Sequence, residues 1–191
     1  PEETQPIEIR ETISISIAED LVALGENCSL DTWSLDKQVV LEADISLRGV
    51  DFEPIATFGG IFEGNGHVIS DLNLTGDFAP AGLFSIVQST GRIRNLTVEG
   101  TVEPGGEGSN AGGIVGALSW ENDLDPEDDL STIGDKSLNF SVKTRGLVYK
   151  CVNHGTVQAK KQVAGGIAGK STLGAIISCE GYGYMDSEDA N

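Results

Sequence analysis

Apolar residues fall along this chain in short clusters that come back. Residues 59–76 hold two of them, Gly59-Gly60-Ile61-Phe62 and Ile69-x-x-Leu72-x-Leu74-x-Gly76, joined through a Gly64-Asn65-Gly66 turn. The second cluster returns as Ile93, Leu96, Val98, Gly100, and in weaker form as Val148, Cys151, Asn153, Gly155 and as Ile176, Cys179, Gly181, Gly183. The first returns as Ala81-Gly82-Leu83, Gly112-Gly113-Ile114 and Gly165-Gly166-Ile167. From the Ile or Leu of the first cluster to the head of the second is 8, 10, 34 and 9 residues, so the third unit carries an additional ~24 residues, read as a loop inside an ordinary unit.

Strands of a few residues cannot bury an apolar face alone, so such units must stack on copies of themselves. Stacked strands lie ~4.8 Å apart, which places equivalent residues over one another. The expected columns are Ile69, Ile93, Val148, Ile176 and, beside it, Leu72, Leu96, Cys151, Cys179. Each fully buried Ile or Leu stabilises by roughly 1.5–3 kcal/mol. Glycines are expected at corners, where the backbone takes positive φ or packs closely. The predicted fold is all-β, a parallel β-helix.

Upstream of the repeats, Ile13, Ile15 and Ile17 alternate with polar residues, which predicts a half-buried strand over 11–17. Ser16-x-x-Glu19 reads as a capping box opening a short helix over 17–27, with Leu21, Val22 and Leu24 on its apolar side. An open end of a stack exposes unpaired strand edges, and this strand and helix are expected to cover it. Residues 1–38 are therefore read as leader and cap, with Trp33 packing beneath, and 39–191 as the stacked domain. Val39, Leu41, Ile45 and Leu47 make its first, imperfect turn. An acidic insertion is expected at about 120–144, inside the third unit.

Composition narrows the partners. A hydrophobic share of 39% with only 6 prolines marks a folded chain. The net charge of −18 repels phosphate backbones and anionic lipid, which argues against nucleic-acid and membrane-surface binding. Seven of the basic residues, Lys136, Lys143, Arg145, Lys150, Lys160, Lys161 and Lys170, share one stretch, read as a solvated strand face. No apolar run reaches the length of a membrane span, and Pro1 to Pro6 contain no signal peptide, as in a mature or trimmed chain. Cys151 and Cys179 occupy equivalent places in successive units. Small apolar filler is the favoured role, with a disulfide across adjacent strands the alternative.

Candidate chemistry is sparse. Ala164-Gly-Gly-Ile-Ala-Gly169-Lys170-Ser171 fits a loose phosphate-loop pattern, but such a loop needs a helix after it, and residues 172–183 are Gly-rich and strand-like. The preceding copy reads Ala111-Gly-Gly-Ile-Val-Gly116, so the repeat explains the match. Asp123, Asp125, Glu127 and Asp129 offer hard oxygen ligands for calcium, yet Asp128 stands where an EF-hand loop needs glycine, and a solvated acidic loop is preferred. His67 and His154 sit beside corner glycines in no zinc or nucleophile motif and are read as structural. With 30 acids some carboxylate pair reaches glycosidase spacing by chance, so that spacing points to nothing. Asn-x-Ser/Thr sequons stand at Asn27, Asn73, Asn95 and Asn139, two of them within predicted strands, and bear on function only in a eukaryotic secreted protein.

The string Phe58-Gly-Gly-Ile-Phe62-Glu-Gly-Asn-Gly-His67-Val-Ile69, with Ala81-Gly-Leu-Phe84, Ile93-x-Asn95-Leu96-x-Val98-x-Gly100 and Val163-Ala-Gly-Gly-Ile167, resembles the GLUG-repeat surface proteins of bacteria. Related repeats occur in adhesin-like proteins and in the non-catalytic part of immunoglobulin A proteases. The resemblance covers about 11–185 and departs at 120–144 and after Cys179. It implies a right-handed β-helix displayed at a bacterial cell surface, a monomer or part of a longer chain, with no catalytic residue and no cofactor. The expected function is thus a non-catalytic, adhesin-like or presenting module for a host-protein or carbohydrate ligand. The alternatives are a carbohydrate-active lyase or hydrolase, by fold analogy, and the N-terminal support of a surface protease.

Overall fold

A computed structural model describes residues 8–107, 109–119, 146–172 and 174–188. Among the described residues the fold is all-β apart from one short helix, and the strand pairings are parallel. The expected insertion at 120–144 lies outside the described residues.

The first strand, Glu11–Ile15 (β1), lies in parallel on Lys37–Leu41 (β2), with Ile13 opposite Val39 and Ile15 opposite Leu41. Between them runs helix Ala18–Asn27 (α1), which buries Leu21 and Leu24. The helix start differs from the capping box expected at Ser16 and Glu19. Ile17 is the N-cap, and the Asp20 carboxylate accepts hydrogen bonds from the amides of Ser16 (2.9 Å) and Ile17 (3.1 Å). The box is displaced by one residue because the backbone is still extended at Ile17 (φ −137°, ψ 165°). Ile17 therefore leaves the strand pattern and stands 55% exposed. At the other end the Cys28 carbonyl accepts from the Thr57 amide (3.3 Å) and hydroxyl (3.1 Å), which fastens the helix to strand Ile55–Phe58 (β4).

From β2 onward the chain makes repeated circuits. It runs through Ile45–Ser46 (β3), β4, Ile61–Glu63 (β5) and Val68–Leu74 (β6), then Phe84–Val87 (β7), Arg92–Arg94 (β8) and Thr97–Val102 (β9). After Ala111–Gly112 (β10) and Val115–Leu118 (β11) come Leu147–Tyr149 (β12), Val152–Asn153 (β13) and Thr156–Lys160 (β14). The last circuit is Ala164–Gly165 (β15), Ala168–Ser171 (β16), Ala175–Ile177 (β17), Glu180–Gly181 (β18) and Met185–Glu188 (β19). One sheet orders β1-β2-β5-β8-β12-β17, a second β4-β7-β11-β16, and a third runs from β3 through β6 and β9 to β13 and β14 and on to β18 and β19. Chain order and sheet order agree in each.

The register corrects the expected columns. Ile93 lies over Phe62 and under Val148, which in turn pairs with Ile176. Ile69 is in another sheet, between Ile45 and Val98, and Leu72 pairs with Gly100. Leu96, Cys151 and Cys179 do follow one another, since their neighbours Thr97, Val152 and Glu180 are paired. The slip has a local cause. Phe62 to Ile69 is 7 residues, against 5 from Ile93 to Val98 and from Val148 to Asn153, because Asn65 (φ 52°) and Gly66 (φ 78°) lengthen that corner. Gly59-Gly60-Ile61 is likewise no copy of Ala81-Gly82-Leu83: Ile61 pairs with Arg92, whereas Ala81 pairs with Ala111 and Ala111 with Ala164.

The corners also differ from expectation. Where β8, β12 and β17 end, positive φ falls on Asn95 (53°), Lys150 (51°) and Ser178 (54°), not on glycine. Asn tolerates this region. Asn95 is thus a corner residue, not a strand residue. Elsewhere glycine meets the expectation in both ways: Gly49, Gly66, Gly100 and Gly146 have positive φ, and a Cβ on Gly155 would stand 2.5 Å from the Gly100 carbonyl oxygen of the neighbouring strand layer.

Side chains facing inward form one core. Val39, Phe62, Ile93 and Val148 are fully buried, as are Ile55, Phe84 and Val115. Phe58, Phe62 and Phe84 meet with ring centroids 6.1, 5.4 and 5.2 Å apart. The Phe62 ring stands edge-on to both others, the geometry aromatic quadrupoles favour. Asn153 is buried in the column of Ile69 and Val98, and its amide is satisfied by both the N–H and the carbonyl of Gly155. Buried amide groups without partners would be costly, so this pairing is what lets a polar residue stand there.

Candidate functional surface on the last circuit

The columns that are buried below become exposed on the final layer. Ile176 follows the fully buried Ile93 and Val148 yet is 43% exposed, and Met185, which pairs with the buried Val157, is 45% exposed. Ile177, Tyr182 and Tyr184 of the same circuit are exposed as well. Large apolar and aromatic side chains left exposed together mark candidate interaction sites. Tyr182 stacks on His154 of the previous layer, centroids 5.1 Å apart and planes 13° from parallel. Its hydroxyl bonds the Glu180 carboxylate, which raises the Tyr182 pKa, and the charge of Asp186 raises that of Tyr184. Beside this face Glu103, Gln158, Lys160 and Asp186 line a shallow polar hollow.

Sequence reasoning left these tyrosines unused. The signal was available in Tyr182-Gly-Tyr184-Met185, three large side chains beyond the point where the repeat fades.

The residues considered for chemistry are held apart or already satisfied. His67 Nδ1 lies 3.0 Å from an Asp44 carboxylate oxygen, which also accepts from the Val68 amide. The Val68 amide first, then His67, hold Asp44 below the usual carboxylate range. This pair ties the corner before β3 to the start of β6, one layer on. Glu63 accepts from Arg94 Nε (2.6 Å), Asn95 Nδ2 (2.9 Å) and the Asn65 amide (2.9 Å). Burial pushes its pKa up, but the donors Asn95, Asn65 and Arg94 outweigh it and the net shift is downward. A carboxylate so engaged is a poor general base. Asp71 accepts from the Ser46 hydroxyl (2.7 Å) and Arg48 (3.2 Å), two layers of a surface corner.

The phosphate-loop pattern resolves into β15, a turn and β16, with Ala164, Gly165 and Ala168 opposite Ala111, Gly112 and Val115. No helix comes after it among the described residues, as the repeat explanation requires. Asp123, Asp125, Glu127 and Asp129 lie outside the described residues, as do Lys136, Lys143, Arg145 and Asn139. Among the described residues no group of three or more His, Cys, Asp or Glu side chains is placed to hold a metal. Of the basic stretch, Lys161 pairs with Glu107 at 2.9 Å and Lys150 lies over the Tyr149 ring at 5.1 Å. All three cysteines are free, Cys28 and Cys151 buried and Cys179 half-buried. No described helix is long and apolar enough to cross a membrane.

No family model matches the chain, so the GLUG-repeat resemblance rests on its motifs alone. A solved structure provisionally described as an immunoglobulin A1 protease from Bacteroides ovatus aligns over 93% of this chain and 68% of that one, with a TM-score of 0.45 at 18% identity, too distant to carry an argument. The sequence is 32% identical over 108 residues, 51% of this chain, to halomucin from Haloquadratum walsbyi (strain DSM 16790 / HBSQ001). The match spans 1% of halomucin's length.

Proposed function

We propose that this chain is a non-catalytic module of a right-handed parallel β-helix, capped at its first end by β1 and α1, that presents a binding face outside the cell. The observation that carries this reading is the agreement of chain order and sheet order in all three main sheets, which a chain winding layer on layer produces. The helix is bonded to β4, and among the described residues Tyr182, Tyr184 and Ile176 stand exposed. Exposed tyrosines backed by a rigid sheet suit a carbohydrate or host-protein ligand, since an aromatic face gives contact area at small entropic cost. Similarity to 1% of the length of halomucin supports a unit within a much longer chain.

The competing reading is a polysaccharide lyase or hydrolase on the same fold. Incubation with acidic and neutral polysaccharides separates the two. The module is expected to be retained on one of these polymers or on a host glycoprotein, to lose that retention on Tyr182→Ala, and to release no new reducing or unsaturated ends. Appearance of such ends overturns the non-catalytic reading, and retention indifferent to Tyr182→Ala overturns the assignment of the face.

A further inference from the structure

Two thiols stand one above the other at the end of the stack. Cys151 follows β12 and Cys179 follows β17, and the registers Tyr149 to Ile177 and Val152 to Glu180 on either side fix them as direct neighbours in adjacent layers. Stacked Cα atoms lie ~4.8 Å apart, within the 4.4–6.8 Å that disulfides span. The Cys179 side chain leans toward the lower layer: its sulfur is 3.4 Å from the Cys151 amide nitrogen and 3.4 Å from the Val148 carbonyl oxygen. We propose that Cys151 and Cys179 form a disulfide that staples the last circuit to the one beneath it.

The two sulfurs divide the work of forming it. Cys179 is half-buried and reachable from solvent, while Cys151 is fully buried. The Cys151 thiol beside it and the Cys151 amide lower the Cys179 pKa despite its partial burial, and the same contact raises that of Cys151. Cys179 is therefore the attacking thiolate and Cys151 the resolving thiol. With a small disulfide such as oxidised glutathione, the Cys179 thiolate attacks one sulfur and a glutathione thiolate leaves. Cys151 then attacks the Cys179 sulfur of the mixed disulfide, and the second glutathione departs, taking up the Cys151 proton. Two protein thiols lose two electrons in all, and one glutathione disulfide becomes two thiols.

Direct stacking leaves Cβ atoms slightly farther apart than the ~3.8 Å typical of a disulfide, so one layer must settle on the other. The last circuit is suited to this, since Ile176 and Ile177 beside Cys179 are exposed and no described strand lies on their far side. Cys28, buried near the first end with burial pushing its thiol up to about 12, is an internal control.

The folded protein is incubated with oxidised glutathione, digested without reduction and mapped by mass spectrometry, with thermal unfolding followed in parallel. The expected result is loss of two hydrogens, one linked peptide joining Cys151 to Cys179, unlinked Cys28, and a Tm higher by about 5 °C that reductant removes. Cys179→Ala should abolish both changes, and Cys151→Ser should trap one glutathione on Cys179. Unlinked cysteines in the wild type, glutathione retained on Cys179 there, or linkage through Cys28 would each overturn the proposal. Because the bridge is read from mass, it stands or falls independently of whether the last circuit binds a ligand.

Discussion

Removing the Phe62 ring tests the core at the point where its register was least expected. Phe62 is fully buried and pairs with Ile93 above and Val39 below. Its ring also closes the trio with Phe58 and Phe84, at 6.1 and 5.2 Å. Truncation of a buried Phe to Ala costs about 3–5 kcal/mol, the lost transfer plus the cavity left when a close-packed layer cannot collapse. For a chain of this size each kcal/mol moves Tm by about 2–4 °C, so Phe62→Ala should lower it by about 6–20 °C. Urea unfolding followed by circular dichroism should show the same loss at unchanged slope. Ile93→Ala and the double variant complete a cycle, and residues in contact should deviate from additivity by at least about 0.5 kcal/mol. A single-variant loss below about 1 kcal/mol, or strict additivity with Ile93→Ala, would refute the column.

Three further outcomes rest on named groups. Asp20→Ala, which removes the acceptor for the Ser16 and Ile17 amides, should cost about 1 kcal/mol in urea unfolding, whereas Glu19→Ala should cost almost nothing; equal effects would restore the capping box at Ser16. The net charge of −18 makes the compact chain repel itself, so Tm should climb as sodium chloride rises from about 0.01 M, most steeply before the screening length falls near 3 Å at about 1 M; a flat profile contradicts this. The pKa of Glu63 is lower folded than unfolded, so its contribution is present above an unfolded value of ~4.3 and fades as pH falls through the lower folded one. The stability gap between wild type and Glu63→Gln should therefore close on acidification, and a gap constant from about pH 6 to pH 3 would exclude that role for Glu63.

Much of this architecture is legible in the sequence because stacking repeats chemistry at each layer. Ile93, Val148 and Ile176 and, beside them, Leu96, Cys151 and Cys179 are placed correctly by spacing alone. The first unit is misaligned because Ile69-x-x-Leu72-x-Leu74 mimics Ile93-x-x-Leu96-x-Val98, while the longer corner at Asn65 and Gly66 shifts the true partners. Periodicity reports which residues are alike, and only the corner lengths say which lie together. The corners hide for a related reason: Lys150 and Ser178 adopt positive φ, a conformation that local propensity disfavours for both. The tyrosines of the last circuit escape notice because a repeat search discards what departs from the repeat. Whether a side chain is exposed depends on what lies over it, and Ile176 reads in sequence like any buried member of its column.

Through-space proton contacts between backbones of the labelled protein test the layered arrangement most directly, since parallel partners ~4.8 Å apart give them and residues in different sheets do not. Contacts are expected between Phe62 and Ile93, between Ile93 and Val148, and between Ile69 and Val98. Backbone contacts joining Ile69 to Ile93 in register, or none between successive circuits, would contradict the account.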